Sequence, residues 1–548
     1  MSGGKGGPAV PYRDVHETAW WRADVLYQIY PRSFQDTNGD GIGDLEGIRR
    51  RLDHLVSLGV DAIWISPIFA SPMADFGYDV SDYRAIDPIF GTMEEFDRLL
   101  DEAHRNGLKV ILDYVPNHTS DEHPWFIESR ASRRSARRDW YVWRDARADG
   151  GPPTNWQSEF GGSAWTFDDA TGQFYYHAYL SKQPDLNWRN PEVVAAMLDV
   201  LRFWFDRGVD GFRVDAIHHL FEDENLRDDP VNPEWHEGLP PAQRLLRSNS
   251  MDQPEVHGAI ALMRGVATCY VNERLLIGEA YLPIERLMAY YGIELSGFHL
   301  PFNFHLISTP WQPKCIAALV DDYERALPPG GWPNWVLGNH DRPRVVTRLG
   351  PRQARIAAML LLTLRGTPTI YQGEEIGMAD VPVPHNRIRD RFAFNAPAFG
   401  RDPERTPMQW DASAYAGFSS VEPWLPVAAD FREHNMTIQS ADPSSMLSLY
   451  RSLIAMRRRE AALAIGSYTL VQASEHMLAY ERRHGERRLL IALNFGERFE
   501  ELESLSPPAK LLLSTDPERQ TDGFAHAPRL NPQEGIVAEL APPEVVVR

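Results

Sequence analysis

The sequence predicts an α/β chain built on a (β/α)8 barrel, with a small domain inserted after the third strand and an antiparallel β domain at the C-terminus. Three observations predict it. Eight short apolar runs recur along the chain, alternating with segments whose apolar residues fall at helical spacing. Acids and histidines gather at the ends of those runs, where a barrel carries its reactive groups. No G-x-G-x-x-G follows the first run, which counts against the alternative of an open doubly wound sheet. The composition is compatible: 548 residues, 43% hydrophobic and 24% charged, exclude a disordered or fibrous chain. Lys and Arg number 56 against 76 Asp and Glu, a net charge of −20, so nucleic acid is not an expected partner.

Val25–Tyr30 (VLYQIY) is the first strand, and LEGIRRRLDHLVSLGV after it has helical spacing and a terminal glycine. Ala62–Ile65 (AIWI) is the second strand, MEEFDRLLDEAHRNGLKV the next helix, and Val110–Asp113 (VILD) the third strand. The following helix starts only at Pro191, a gap too long for a simple crossover. The stretch from about His118 to Asn187 is rich in Trp, Tyr, Gly and Asp and reads as an inserted domain. Its Trp125, Trp140, Tyr141, Trp143, Trp156 and Trp165 are expected to form a small core rather than sugar platforms. Gly211–Asp215 and Leu275–Glu279 are strands four and five; Gly297–Phe304, Trp335–Asp341 and Thr367–Gly373 complete the eight. After a helix at Met446–Arg459, short alternating strands such as RRLLIALNF mark the last domain. The boundaries are 1–117 and 188–462 for the barrel, 118–187 for the insertion and 463–548 for a C-terminal β-sandwich.

The strand ends carry the chemistry. The third strand ends in Asp113 with His118 close behind, the fourth in Arg213-Val-Asp215, the fifth in Glu279, and the seventh in Asn339-His340-Asp341. A single acid there could be a helix cap or a buried ion pair, but four in successive strand-end positions point to one site. A carboxylate cluster without a phosphate loop or a Cys/His nucleophile pair suits glycoside hydrolysis: one acid attacks the anomeric carbon and another protonates the leaving oxygen. A metal-dependent hydrolase fits less well, because His118, His218, His219 and His340 show no HxH or HExxH spacing. His218 and His219 could face the substrate or simply pack.

DYVPNHTS at 113–120, QPDLN at 183–187, GFRVDAIHH at 211–219, GEA at 278–280, GNHDRPR at 338–344, YQGEEIGM at 371–378 and RDPERTPMQW at 401–410 occur in this order. In these motifs, nearly the whole chain resembles the α-amylase superfamily, glycoside hydrolase family 13, in its oligo-1,6-glucosidase and α-glucosidase branch. The resemblance implies Asp215 as nucleophile, Glu279 as acid and base, and Asp341 as holder of the sugar 2- and 3-hydroxyls. It implies His118 and His340 on further hydroxyls, Arg213 beside the nucleophile, and Tyr78 against the sugar face. Asp79 with Arg401 would bind the 4-hydroxyl and close the pocket, with Arg405 as a second candidate for that arginine. The implied activity is that of a retaining exo-acting α-glucosidase on short α-glucosides. Ala216 after the nucleophile goes with α-1,4 preference; α-1,6 action, transglucosylation and sucrose hydrolysis stay open. A non-catalytic transporter subunit is the reading from another class, disfavoured by retention of all three acids.

The run Asp36-Thr-Asn38-Gly-Asp40-Gly-Ile42-Gly-Asp44 alternates oxygen donors and suits a hard cation, although the twelfth position of an EF-hand would be Gly47 rather than Glu. An acidic Asx-turn loop is the competing reading. The resemblance implies structural Ca2+ held by Asp36, Asn38, Asp40, Asp44 and the Ile42 carbonyl. Two cysteines, Cys269 and Cys315, make no disulfide framework. The first residues lack a signal-like apolar stretch, and the longest apolar run, Ile356–Leu364, is far short of the roughly 20 residues that cross a bilayer. A cytoplasmic protein with no membrane partner, monomeric or homodimeric, is expected.

Overall fold

A computed structural model describes residues 19–502, 509–519 and 528–541; the segment in which no signal-like stretch was found lies outside them. The barrel strands are β1 (Leu26–Ile29), β2 (Ala62–Ile65), β3 (Lys109–Tyr114), β4 (Gly211–Val214), β5 (Leu275–Gly278), β6 (Leu300–Pro301), β7 (Asn334–Val336) and β8 (Thr367–Tyr371). They pair in the order β6-β5-β4-β3-β2-β1-β8-β7, every pair parallel. A single parallel bridge, Asn303 to Trp335, joins the β6 and β7 ends and closes the ring.

Side chains alternate along each strand. Leu26, Ala62, Trp64, Ile111, Leu275 and Ile277 meet in the barrel interior. Their neighbours Tyr27, Ile63, Ile65, Val110, Leu112, Phe212 and Leu276 point out into the layer of helices. Both faces are therefore apolar, which is why the strands read as continuous hydrophobic runs. The helices are capped as their sequences dictate: Thr92 and Glu95 form a reciprocal capping box on Met93–Arg105, and Asp44 accepts from the Gly47 amide at the start of Leu45–Arg50.

The strands are shorter than the apolar runs suggest. β4 stops at Val214, β5 at Gly278 and β7 at Val336, so Asp215, Glu279 and Asp341 all sit on the loops just beyond strand ends. Within the insertion, Trp143–Arg144, Gln173–Tyr176 and Trp165–Asp168 form a three-stranded antiparallel sheet. Trp156, Trp165 and Tyr176 pack in its core, and Trp140, Tyr141 and Trp143 are also buried. At the C-terminal end, Ser467–Ala473, Met477–His484, Arg487–Asn494, Gly535–Leu540 and Ala509–Ser514 make a five-stranded antiparallel sheet. It docks on the helix Pro351–Thr363, where the Thr363 and Tyr480 hydroxyls lie 2.6 Å apart. Among the described residues, no helix is long and apolar enough to cross a membrane.

Candidate active site

A cavity of about 530 Å3 opens at the C-terminal ends of the barrel strands. Tyr78, His118, Asp215, Glu279, Asp341 and Arg401 all line it. One guanidinium organises its floor. Arg213 is 1% exposed; its Nη1 donates to Asp113 Oδ1 at 2.7 Å and to Asp215 Oδ1 at 2.5 Å, and its Nη2 lies 2.6 Å from Glu279 Oε1. β4 delivers Arg213 and Asp215 two residues apart on one face, while β3 and β5 bring Asp113 and Glu279 from either side.

Three carboxyls around one buried cation cannot all be ionised at low cost. Burial pushes Asp113 up to about 6, with Arg213 and Trp64 opposing. Burial also raises Asp215 well above the usual carboxylate range; Arg213 opposes this, and Glu279 and Asp113 add to it. Around Arg213, burial and mutual repulsion thus work against ionisation of these neighbouring acids, and the guanidinium works for it. The backbone helps to aim these acids. Ala216, directly after Asp215, has φ 48°, a left-handed conformation that an alanine adopts at a cost of about 1 kcal/mol, and its N–H donates to Glu279 Oε2 at 3.0 Å.

Asp341 has the opposite environment. Burial works against its charge, but the Arg401 and Arg405 guanidiniums outweigh burial and hold its carboxyl well below the usual range. Arg401 Nη1 and Arg405 Nη2 both donate to its Oδ1, at 3.2 and 2.6 Å. His340 is kept neutral by burial, down to about 3, and bridges Gln28 and the Tyr78 hydroxyl through its two ring nitrogens. His118, also pushed down to about 3 by burial, meets Gln183 at 3.0 Å.

The expected pairing of Asp79 with Arg401 does not occur. Asp79 is fully buried beneath the loop and accepts from the backbone amides of Ala74 and Asp75 at 2.7 and 2.8 Å. Asp75 takes the pocket position instead, with Arg401 Nη2 2.9 Å from its Oδ1 and Gln183 3.3 Å from its Oδ2. The cause is local backbone: Met73, Phe76 and Gly77 have φ of 63°, 52° and 111°, and these turns put Asp75 on the cavity side. The two arginine candidates are not alternatives. Arg401 bridges Asp75, Asp341 and Asp390, whereas Arg405 holds Asp341 and the His340 carbonyl.

Beyond this polar end the wall changes character. Phe160 from the insertion packs against Phe392, ring centres 5.0 Å apart, and Pro240, Ala242, Met251 and Phe399 continue the apolar lining. On the same side Glu159 is ion-paired to Arg247 and hydrogen-bonded to His219. Sequence reasoning missed Asp75, Glu159, Phe160, Arg247 and Phe392 as wall residues; only Asp75 had a signal, an acid three residues before Tyr78.

The acidic loop after β1 is built differently. Asp36 accepts from the Asn38, Gly39 and Gly41 amides and from Ser419; Asp40 accepts from the Ile42 amide; Asp44 accepts from the Thr37 and Gly47 amides. The donor set of Asp36, Asn38, Asp40, Asp44 and the Ile42 carbonyl is all hard oxygen, which suits Ca2+ by chemistry. Among the described residues its acids are not gathered into a cluster of three ligand atoms, because each carboxylate is turned onto backbone N–H groups.

Residues 28–466 match the family model for the alpha-amylase catalytic domain. A probable alpha-glucosidase of Rhizobium meliloti is 44% identical over 498 residues, covering 87% of this chain and 90% of that protein. An oligo-1,6-glucosidase of Halalkalibacterium halodurans is 38% identical over 566 residues, covering 95% and 99% of the two chains. The crystal structure of an alpha-glucosyl transfer enzyme superposes with a TM-score of 0.91 at 41% identity, over 96% of this chain and all of that one.

Proposed function

The chain belongs to the alpha-amylase catalytic-domain family of glycoside hydrolases, and from that premise we propose that it is a retaining, exo-acting α-glucosidase releasing glucose from the non-reducing ends of short α-glucosides. One observation carries the reading: Asp215 and Glu279 share Arg213 at the floor of a cavity whose lining includes the ion-paired Asp75 and Arg401, which we take as its closed end. A closed end admits one terminal glucose.

Asp215 attacks C1 of that glucose as Glu279 gives its proton to the glycosidic oxygen. The C1–O bond breaks, the leaving sugar departs as an alcohol, and a C1–Oδ ester forms. Glu279, now a carboxylate, takes a proton from water, whose oxygen displaces Asp215 from C1 and restores both groups. Two displacements retain the α-configuration, which requires carboxyl groups about 5–5.5 Å apart. Neighbouring nitrogens of one guanidinium hold Asp215 and Glu279 side by side, which supports that reading. Arg213 steadies the charge on Asp215, and Asp341, kept anionic by two arginines, engages the sugar hydroxyls beside the developing oxocarbenium ion.

An acceptor sugar in place of water gives transglucosylation from the same intermediate. By the family resemblance Ala216 beside Asp215 goes with α-1,4 linkages, and α-1,6 action stays possible, since a methyl-scale difference supports only about 1–3 kcal/mol of discrimination. The Asp36–Asp44 loop is proposed to take structural Ca2+, with no part in the chemistry. The reading also takes the chain as cytoplasmic and monomeric or homodimeric.

The test is product analysis on maltose, isomaltose, maltotriose and sucrose. Maltose is expected to yield glucose of retained α-configuration, and Asp215→Asn to lose turnover by about 10⁴ or more while melting within a few degrees of the parent. No turnover of any of the four sugars would overturn the reading.

A further inference from the structure

On the cavity wall away from the acids, the insertion and the turn after β4 bring three potential ligands together. Glu159, His218 and His219 each offer a ligand atom, and these atoms lie within 4.8 Å of one another, a grouping found nowhere else among the described residues. Glu159 Oε1 lies 3.0 Å from His219 Nε2, and the two imidazole centres are 4.3 Å apart. Both histidines are buried, while Glu159 is 30% exposed and, with His218, faces the cavity. The Nδ1 atoms of His218 and His219 are buried without a partner, so His218 can exchange tautomers without giving up a hydrogen bond, whereas His219 does so at the cost of its Nε2–H bond to Glu159.

We propose that Glu159, His218 and His219 form an inhibitory site for a borderline dication such as Zn2+ in the cavity wall. Two imidazoles and one carboxylate with a side open to solvent are a donor set that Zn2+ completes with water. His219 moves its proton from Nε2 to Nδ1 and presents the Nε2 lone pair; no electron transfer is involved. The rival is Arg247, whose guanidinium is ion-paired to the same Glu159 oxygen, so metal and arginine compete for one carboxylate. A bound ion would narrow the cavity on the side where the leaving sugar departs, a consequence that rests on the glucosidase reading.

Calorimetric titration of the full chain with Zn2+ alone tests the binding, in a Cys269→Ser/Cys315→Ser background that removes the thiols. One Zn2+ is expected, bound roughly tenfold or more weakly by His218→Gln and about tenfold more tightly by Arg247→Gln. The second variant predicts a gain, which misfolding cannot imitate. Equal affinity in parent and His218→Gln, or weaker binding by Arg247→Gln, would overturn the site. Zn2+ inhibition of maltose hydrolysis should follow the same order; if maltose is not a substrate, the titration alone decides.

Discussion

Two acidic clusters stand at strand ends of the same barrel, and their acids are neutralised in different ways. In the cavity, Asp113, Asp215 and Glu279 face a single guanidinium, and Asp341 faces two. In the loop after β1, Asp36, Asp40 and Asp44 face backbone amides. Amide hydrogen bonds are short-ranged and fix a loop's shape, whereas buried charges set protonation states across a site. The first cluster is built to move protons and the second to hold a turn.

The largest effect should come from breaking the cavity cluster at its centre. Arg213→Gln leaves three buried carboxyls without a counter-charge and should lower kcat/KM for maltose by about 10³ or more, with about 3–5 kcal/mol lost in chemical denaturation. Retained turnover would show that the acids do not depend on the guanidinium. Next, Asp75→Asn and Asp79→Asn should separate: the first lowers kcat/KM by about a hundredfold, and the second costs about 1–2 kcal/mol of stability while changing kcat/KM less than tenfold. The reverse result would restore Asp79 to the pocket.

Glu374 tests a third kind of neutralisation. Its carboxyl is pushed up to about 8 by burial, with Arg344 and Arg348 opposing. Between about pH 4.5 and 8 the unfolded chain has released this proton while the folded chain keeps it, so this group's contribution to stability falls as pH rises through that window. Glu374→Gln should flatten that fall and stabilise the protein by on the order of 1–3 kcal/mol at pH 8, read from urea midpoints across pH. An unchanged slope would place the ionised form in the fold. The smallest effect should be that of chelation: EGTA is expected to lower the melting temperature by about 2–5 °C without changing kcat. An unaffected melting temperature would leave the loop held by its own amides.

The strand-end acids were legible because a barrel places such groups where the apolar run stops. Asp215 and Glu279 needed only that rule, even though each lies one residue past its strand. Asp75 and Asp79 were not separable, because an interval of four in a loop carries no facing information; the left-handed φ angles of Met73 and Phe76 decide it. The wall was hidden for another reason. Glu159, Phe160, Arg247 and Phe392 come from the insertion and two long loops, and no periodicity ties them to strand positions. Arg401 and Arg405 read as rivals because one dimension offers one partner each, whereas Asp341 accepts both.

The ring of strands has one weak seam. β6 and β7 are two and three residues long and meet through one bridge, Asn303 to Trp335, while the other neighbours share longer ladders. Asp215 and Glu279 stand on one side of that seam and Asp341 on the other. Local breathing there, at far below the energy of global unfolding, would part the sugar-holding acid from the reacting pair before any other strand let go. Amide exchange in Asn303 and Trp335 thus reports on how long the machinery stays assembled.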